Sequence, residues 1–267
     1  MLRHELATKS MASLHNLYQK YRPSIVRIEV SNRYGDVSAG TGFHIGDGLI
    51  VTARHVLRET IRVPDIVGDR TEEIDRTLIS ITRDIDKQPL SATTVHYHID
   101  KRVDLAVLET DMETYAFYDP TTGRNLVKGY RDSIPVGVPI DTWIRDHMIL
   151  NKVLIMGYPK VPWAVESVLV TTEAEVNALV QSILVPHPYY VLSATARGGF
   201  SGAPVINEEG HAIGVIVESL YGDNKPEETG FNSAITMEPL VRILADRGNR
   251  PAWIASDIWG RFSIDKQ

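Results

Sequence analysis

Residues 198–204 constrain this 267-residue chain more than any other stretch, because they run Gly-Gly-Phe-Ser-Gly-Ala-Pro. Glycines close to Ser201 on both sides permit a tight turn, and a serine at the tip of such a turn is exposed where a nucleophile must be. Glycine and serine are also common in ordinary turns, so these seven residues alone leave both interpretations open. The rest of the sequence decides between them.

Two further motifs supply the groups that would activate Ser201. His55 follows residues 48–53, an apolar and β-branched run that predicts a buried strand. Asp104 begins a second apolar strand, Asp-Leu-Ala-Val-Leu. Taken singly, the histidine would be a core residue and the aspartate a turn residue at the start of a strand. Together with the serine, they supply a base that takes the hydroxyl proton and a carboxylate that holds the base in one tautomer.

The order of these three residues along the chain separates the folds that use such a set. In α/β-hydrolases the order is Ser…Asp…His and in subtilisins Asp…His…Ser, whereas chymotrypsin-like enzymes run His…Asp…Ser. Here His55 precedes Asp104 by 49 residues, and Asp104 precedes Ser201 by 97 residues. Over residues 23–245 the chain resembles the trypsin-like serine proteases of chymotrypsin fold, and among them the disulfide-free HtrA/Deg-like branch. Residues 157–159, Gly-Tyr-Pro, add to this resemblance.

The resemblance implies an all-β fold of two antiparallel six-stranded β-barrels, with N-terminal and C-terminal helices. The histidine and the aspartate would lie in the first barrel and the serine in the second. The expected parts of the chain are a helical segment over residues 1–22, a first barrel with a long connecting loop over 23–148, a second barrel with a closing helix over 149–250, and a tail over 251–267.

Helices are expected at both ends of the two-barrel unit. Residues 5–21 have the apolar periodicity of a helix, and Pro23 ends it because the residue before a proline avoids helical torsions. Residues 237–247 resemble the closing helix of the family. A leading helix of this kind either packs on the barrels or docks a partner, and the sequence leaves both open. The tail is too short for a PDZ module, so regulation by one within the chain is not expected.

The serine turn has a second predicted role, which is to stabilise the oxyanion that forms during acyl transfer. In the resembled family the donors are the backbone N–H groups of the serine and of the residue two before it, here Ser201 and Gly199. A glycine there permits the torsions that point an amide inward. Phe200 stands where digestive enzymes carry the aspartate that binds a newly cut N-terminus. We therefore expect no activation by that salt bridge, and a loop held by packing alone that switches between ordered and collapsed forms.

The resemblance also nominates residues of the S1 pocket, which holds the substrate side chain before the scissile bond. They are Thr195 at the base, Val217, Glu218 and Ser219 on one wall, and Gly230 with Phe231 on the other. No aspartate stands at position 195, so a requirement for Arg or Lys is not expected, although Glu218 leaves that alternative open. We expect a small or medium apolar residue in the pocket, with the substrate backbone added as a β-strand beside residues 217–219.

The composition excludes some classes of partner and indicates a cellular compartment. The net charge of −6 and the pI ≈ 5.8 argue against nucleic acid or an anionic membrane as the main partner. The chain contains no cysteine, which excludes disulfides and cysteine catalysis and fits a reducing compartment. Charges stand where a signal peptide has its apolar core, and no apolar stretch reaches the ~20 residues of a membrane span. We expect a cytoplasmic location.

These observations predict a serine endopeptidase that works through an acyl-enzyme, requires no metal or organic cofactor, and acts on a protein or peptide substrate, with a protein partner as activator. His96 and His98 share one face of a predicted strand, but no third or fourth metal ligand accompanies them. Two alternatives stay open: a protease-fold binding protein with a latent or silent site, and an esterase that uses the same three residues.

Overall fold

The computed structural model describes the chain in separate stretches. The described residues are 14–32, 34–63, 70–75, 77–83, 89–110, 115–119, 124–129, 133–137, 148–181, 187–194, 198–219 and 232–247. Within these ranges, no helix is both long and apolar enough to cross a membrane.

β-Strands dominate the described residues. In chain order they are β1 (Ile25–Ser31), β2 (Val37–Gly46), β3 (Leu49–Thr52), β4 (Arg58–Val63), β5 (Arg70–Asp75), β6 (Thr77–Arg83), β7 (Pro89–Leu90), β8 (Ala92–Tyr97), β9 (Ala106–Thr110), β10 (Tyr115–Asp119), β11 (Arg124–Gly129), β12 (Lys152–Gly157), β13 (Val170–Gln181), β14 (Pro188–Leu192), β15 (Pro204–Asn207), β16 (Ala212–Ser219) and β17 (Asn232–Thr236). The sequence of β1, Ile-Val-Arg-Ile-Glu-Val-Ser, shows why: apolar, β-branched side chains enter the core and alternate with partly exposed polar ones.

The first sheet has seven antiparallel strands in the order β7-β6-β1-β2-β3-β9-β8 and curls into a nearly closed barrel. Towards one side of the sheet, β3 pairs with β9, with Leu49 opposite Glu109 and Thr52 opposite Ala106. The end of β3 and the start of β9 therefore meet at one edge of the sheet. Residues that follow β3 lie beside residues that precede β9, and this edge holds the candidate base and its carboxylate.

The second sheet is a closed six-stranded barrel in the order β12-β13-β14-β17-β16-β15. Its strands β15 and β16 form the antiparallel hairpin predicted after the serine turn, with Pro204 opposite Val215. The hairpins β4–β5 and β10–β11 form separate two-stranded sheets. The predicted all-β, chymotrypsin-like fold is confirmed, and the first sheet carries one strand more than expected, the two-residue β7.

Three helices lie in the described residues: α1 over 14–21, the single turn α2 (Arg54–Leu57), and α3 (Glu238–Arg247). A 3₁₀ turn that contains Pro23 follows α1, in agreement with the predicted helix end. Although α1 leads into the first barrel, it packs on the second. A Cβ at Gly210, in the turn between β15 and β16, would lie 2.9 Å from the Tyr21 hydroxyl.

The hydrophobic core joins the two barrels. One cluster of buried residues includes Leu49 and Leu105 of the first barrel, Leu154 of the second and Leu244 of α3. Two further clusters lie mainly within one barrel each. The barrels are therefore packed against each other over a shared apolar surface, and the functional residues lie along its rim.

Two predictions near the site differ from the structure by one or two residues. His55 lies inside α2 and does not follow the strand directly, because a short helical turn begins at Arg54. Asp104 precedes β9 by two residues and does not begin it. The tail, residues 251–267, lies outside the described residues, and the division of the chain into four parts stays a prediction.

Candidate active site

His55 and Asp104 form a hydrogen-bonded pair at the edge where β3 ends and β9 begins. Asp104 Oδ2 lies 2.6 Å from His55 Nδ1, and Asp104 Oδ1 accepts the backbone N–H of His55 at 2.8 Å. An ionised carboxylate can only accept, so Nδ1 carries the proton and Nε2 is the ring nitrogen able to take one. The imidazole is about half exposed, as a base that must reach a substrate requires.

An aromatic ring holds α2, the turn that carries His55. The guanidinium groups of Arg54 and Arg58 lie 4.8 Å and 4.9 Å from the centre of the Tyr97 ring. Asp75 accepts hydrogen bonds from the Tyr97 hydroxyl at 3.0 Å and from Arg58 Nε at 2.7 Å. Burial and the neighbouring carboxylate raise the pKa of Tyr97 above its usual range, so the phenol stays a neutral donor. We call these four residues, Arg54, Arg58, Asp75 and Tyr97, the clamp. It holds both ends of the helical turn that carries the histidine.

The serine turn, residues 198–204, meets the first barrel just before α2. Gly202 has φ +87°, and a Cβ there would come within 2.0 Å of the Thr41 carbonyl oxygen and 3.0 Å of the Ala53 nitrogen. Only glycine fits so close a backbone approach. The Thr41 N–H also donates to the Ser201 carbonyl oxygen at 2.9 Å. These contacts seat the serine of the second barrel against the segment that leads into α2 and its histidine.

All four carbonyl groups of residues 198–201 accept hydrogen bonds from the protein. Their donors are, in order, the Lys160 N–H at 3.2 Å, the Thr41 hydroxyl at 2.7 Å, the Ala203 N–H at 2.8 Å and the Thr41 N–H at 2.9 Å. In a trans peptide the N–H and C=O groups point in opposite directions, so each held carbonyl also directs the N–H of the next residue. The orientation of every peptide in the turn is therefore defined by a partner.

This arrangement leaves the N–H groups of Gly199 and Ser201 for a ligand. Within the described part of the chain, neither group donates to a protein acceptor. Gly199 has φ +107°, and a Cβ there would lie 2.4 Å from the Tyr158 carbonyl oxygen, so only glycine fits. Two backbone donors beside a serine are the arrangement that stabilises the oxyanion of acyl transfer.

Phe200 anchors the turn in the core of the second barrel. Its side chain is only 5% exposed, and its ring lies so close to Gly157 that a Cβ there would approach it to 2.8 Å. The expectation that packing alone holds the turn is wrong, because four carbonyl hydrogen bonds act together with this burial. Collapse of the turn would break those bonds as well as move the ring.

Comparison with known families matches residues 40–215, about two thirds of the chain, to the trypsin-like peptidase domain. The chain belongs to the trypsin-like peptidase family. The matched region contains His55, Asp104 and Ser201. No curated protein sequence matches this peptidase.

Solved proteases share the fold of this trypsin-like peptidase. The Rv3671c protease from M. tuberculosis, in its active form, is 18% identical with a TM-score of 0.61, and the match covers 88% of this chain and 85% of that one. The serine endoprotease from Yersinia pestis is 18% identical with a TM-score of 0.58, over 87% and 65%. The HtrA-type protease AlgW with a tripeptide is 16% identical with a TM-score of 0.58, over 87% and 62%. At these identities the likeness establishes the fold.

Among the predicted S1 residues of the peptidase, Val217 lies beside the serine turn. The carbonyl of its neighbour Ile216 accepts the Gly202 N–H at 2.7 Å. Glu218 and Ser219 continue β16, and among the described strands only β17 pairs with them. The other edge of β16 is thus unpaired there within the described structure. The remaining predicted residues, Thr195, Gly230 and Phe231, lie outside the described residues.

Sequence reasoning missed the part played by Thr41. It stands on β2 in a Gly-Thr-Gly motif, and its partners Gly199 and Tyr158 lie 158 and 117 residues further along the chain. The signal in the sequence was a hydroxyl between two glycines. The flanking glycines allow another backbone to approach closely, and the hydroxyl can then bond to it. Here this lets β2, a buried strand of the first barrel, bind the second barrel.

The histidines near the end of β8 do not form a metal site with each other. His96 Nε2 lies 3.0 Å from Glu109 Oε1, while the His98 ring lies 5.4 Å from that of His187. Arg247 of α3 also donates to Glu109. Among the residues that the structure describes, no group of three His, Asp or Glu side chains is arranged to hold a metal. Glu109 instead connects the first barrel of the peptidase to α3 through Arg247, and His98 connects it to the second barrel through His187.

Proposed function

We propose that this peptidase is a serine endopeptidase in which Ser201 is the nucleophile, His55 the general base and Asp104 the residue that orients the base. The observation that carries the proposal is the placement of the serine turn against the segment leading into α2. That turn has two N–H groups without an acceptor among the described residues, and its Gly202 lies against Ala53, two residues before the histidine of the His–Asp pair.

The acylation step uses each of these groups once. Ser201 Oγ attacks the carbonyl carbon of a peptide bond while His55 Nε2 takes its proton. The resulting oxyanion accepts hydrogen bonds from the N–H groups of Gly199 and Ser201. Asp104 stays ionised and stabilises the imidazolium. His55 then gives the proton to the leaving nitrogen, the C–N bond breaks, and the acyl group remains as an ester on Ser201.

Water completes the cycle through the same groups. His55 takes a proton from a water molecule as its oxygen attacks the ester, and a second oxyanion forms beside the two N–H donors. The proton passes to Ser201 Oγ as the ester bond breaks, which releases the carboxylic acid product. The proposed steps are proton and acyl transfers, and they assign no role to a metal or an organic cofactor.

The proposed substrate is an extended segment of a protein or peptide. Residues 217–219 offer a strand edge beside the serine turn, and a substrate added there gains main-chain hydrogen bonds. A small or medium apolar side chain before the scissile bond suits a wall that includes Val217. Because the same three residues would also hydrolyse an ester, matched peptide and ester substrates separate an endopeptidase from an esterase.

A protein partner is proposed as a regulator of this site. The loop between β12 and β13 carries Trp163 and Val165, which are 99% and 101% exposed. Exposed apolar side chains that cluster in this way favour a protein contact. In the same loop the Lys160 N–H donates to the Gly198 carbonyl of the serine turn, so a partner bound there would act on the turn directly. The cytoplasmic location stays a prediction.

The deciding experiment is labelling of the purified protein with a fluorophosphonate probe. Wild type and Ser193→Ala, an exposed serine outside the turn, are expected to react, and Ser201→Ala is not. Labelling that persists in Ser201→Ala would contradict the assignment of the nucleophile. An unreactive wild type would favour the latent or silent binding protein instead. If the purified wild type reacts without any partner, and a partner does not raise the rate, then no activator is required.

A further inference from the structure

We infer that Thr41 is a positioning residue for the oxyanion-binding conformation of the serine turn, an inference that rests on the proposed endopeptidase function. Thr41 lies on β2 in the first barrel and is completely buried. Its N–H donates to the Ser201 carbonyl at 2.9 Å, and its hydroxyl donates to the Gly199 carbonyl at 2.7 Å. The hydroxyl accepts the Tyr158 N–H at 2.9 Å, and the Thr41 carbonyl accepts the Thr52 hydroxyl at 2.7 Å. Three of these bonds reach the second barrel.

The direction of each bond at the Thr41 hydroxyl follows from its chemistry. An N–H such as that of Tyr158 can only donate, and a carbonyl such as that of Gly199 can only accept. The single hydroxyl proton therefore goes to Gly199, and a lone pair receives Tyr158. One oxygen atom thus joins the end of β12 to the serine turn. A serine at this position keeps that link, whereas a valine or an alanine loses it.

The Thr41 hydroxyl fixes the direction of the Gly199 N–H by holding the two peptide groups on either side of the Gly199 Cα. That N–H shares a peptide with the Gly198 carbonyl, which the Lys160 N–H holds at 3.2 Å. Lys160 follows Tyr158 by two residues, so the Thr41 hydroxyl anchors the segment that orients this peptide. The same hydroxyl holds the next peptide of the turn through the Gly199 carbonyl. Because glycine has wide torsional freedom, loss of both supports would let the N–H turn away from the oxyanion.

Thr41 has no surface for a substrate to touch, so its effect must pass through the turn. Removal of its hydroxyl should slow attack by the serine without weakening the binding that precedes attack. Loss of one oxyanion donor slows acyl transfer by about 100-fold to 1,000-fold. We expect the lower end of that range, because the N–H is displaced and not removed.

The test compares Thr41→Val with Thr236→Val. Thr236 is a matched control because it is also buried and its hydroxyl donates to a backbone carbonyl, that of Pro188 at 3.2 Å. Inactivation by a fluorophosphonate probe is measured over a range of probe concentrations, which separates probe binding from the maximal rate. Thr41→Val should lower the maximal rate about 100-fold and leave probe binding within about threefold. Thr236→Val should change neither, and Thr41→Ser should restore most of the rate.

Each result decides the inference. A maximal rate in Thr41→Val equal to that in Thr236→Val would overturn it, as would a loss that Thr41→Ser does not restore. Should Thr41→Val not fold, Thr41→Ser and Thr41→Ala, which differ by one oxygen atom, give the same comparison. An unreactive wild type would overturn the endopeptidase proposal together with this inference. A reactive wild type with an unaffected Thr41→Val would overturn this inference alone.

Discussion

At the scale of single residues, two adjacent glycines of the serine turn have different roles. A Cβ at Gly199 would lie 2.4 Å from the Tyr158 carbonyl oxygen and 2.7 Å from the Pro159 Cα, and its φ of +107° is rare for other residues. A Cβ at Gly198 would have nothing within 4 Å. Space and torsion therefore require glycine at 199 and leave 198 open to a side chain.

Gly199→Ala should lower the rate of fluorophosphonate labelling by at least about 100-fold, because the new methyl group displaces the amide that we propose stabilises the oxyanion. Gly198→Ala is the matched control and should label within about threefold of wild type. Rates are measured on protein whose folding has been checked by circular dichroism. Equal rates in the two variants would show that the Gly199 amide does not act in the reaction.

At the scale of elements, the position of the histidine depends on α2, a helix of one turn. Such a short helix is unstable by itself, and no side chain caps its N-terminus. Its stability must come from contacts with the barrel, among them the burial of Val56 and Leu57 and the contacts of Arg54 and Arg58 with the Tyr97 ring. The clamp is thus a structural requirement for the base, although it contains none of the three proposed catalytic residues.

Tyr97→Leu should lower the free energy of unfolding by about 2 kcal/mol, because two cation–π contacts and the hydrogen bond to Asp75 are lost. It should also slow fluorophosphonate labelling of the folded protein. Tyr97→Phe keeps the ring contacts and should lose about half as much stability. Tyr34→Leu, at a residue 73% exposed, is the control. Urea unfolding measures the stability, and a Tyr97→Leu curve that coincides with that of Tyr34→Leu would contradict the clamp.

At the scale of the whole molecule, short sequence motifs nominate residues of the site but do not predict the bonds between them. His55, Asp104 and Ser201 are predicted as site residues because each stands in a short motif whose apolar or glycine pattern is local. The bonds from Thr41 to Gly199 and from Arg247 to Glu109 join residues 158 and 138 positions apart. Motif spacing orders the residues along the chain but does not reveal which backbone atoms meet after two barrels have packed. The support of the serine turn was therefore underestimated.

The two barrels also meet through a pair of histidines, of which one is buried. His98 is 7% exposed, and its ring lies edge-on to that of His187, which bonds Glu238 of α3 at 3.2 Å. Burial is the main cause that lowers the pKa of His98 from its ordinary 6.5; Asp100 and, less strongly, Asp246 oppose it, and the adjacent His187 adds to it. The unfolded chain then binds more protons than the folded one as the pH falls below that value. Stability is therefore lost as the medium is acidified through this range.

The melting temperature should fall between about pH 7 and about pH 5, the range in which an ordinary histidine gains a proton. In His98→Asn the melting temperature should fall less over this pH range, because asparagine does not titrate. Its side-chain oxygen can accept the Asp100 N–H, which in wild type donates to His98 Nδ1 at 3.1 Å. His15→Asn replaces an exposed histidine and serves as the control. The melting temperature of this variant should depend on pH as that of wild type does. If the melting temperature depends on pH in the same way in wild type and in His98→Asn, His98 is not the cause of the fall.

The attachment of α1 to the second barrel has a consequence for biosynthesis. Tyr21 and Leu17 lie against Gly210, a residue translated long after the helix. At roughly 5–20 residues per second, the surface that covers α1 leaves the ribosome roughly ten seconds or more after α1 does. The serine turn lies close to Gly210 in the sequence. It therefore also leaves the ribosome long after Thr41, and the two can bond only then. A nascent chain would therefore assemble the proposed site only after the serine turn has been translated, 160 residues after Thr41.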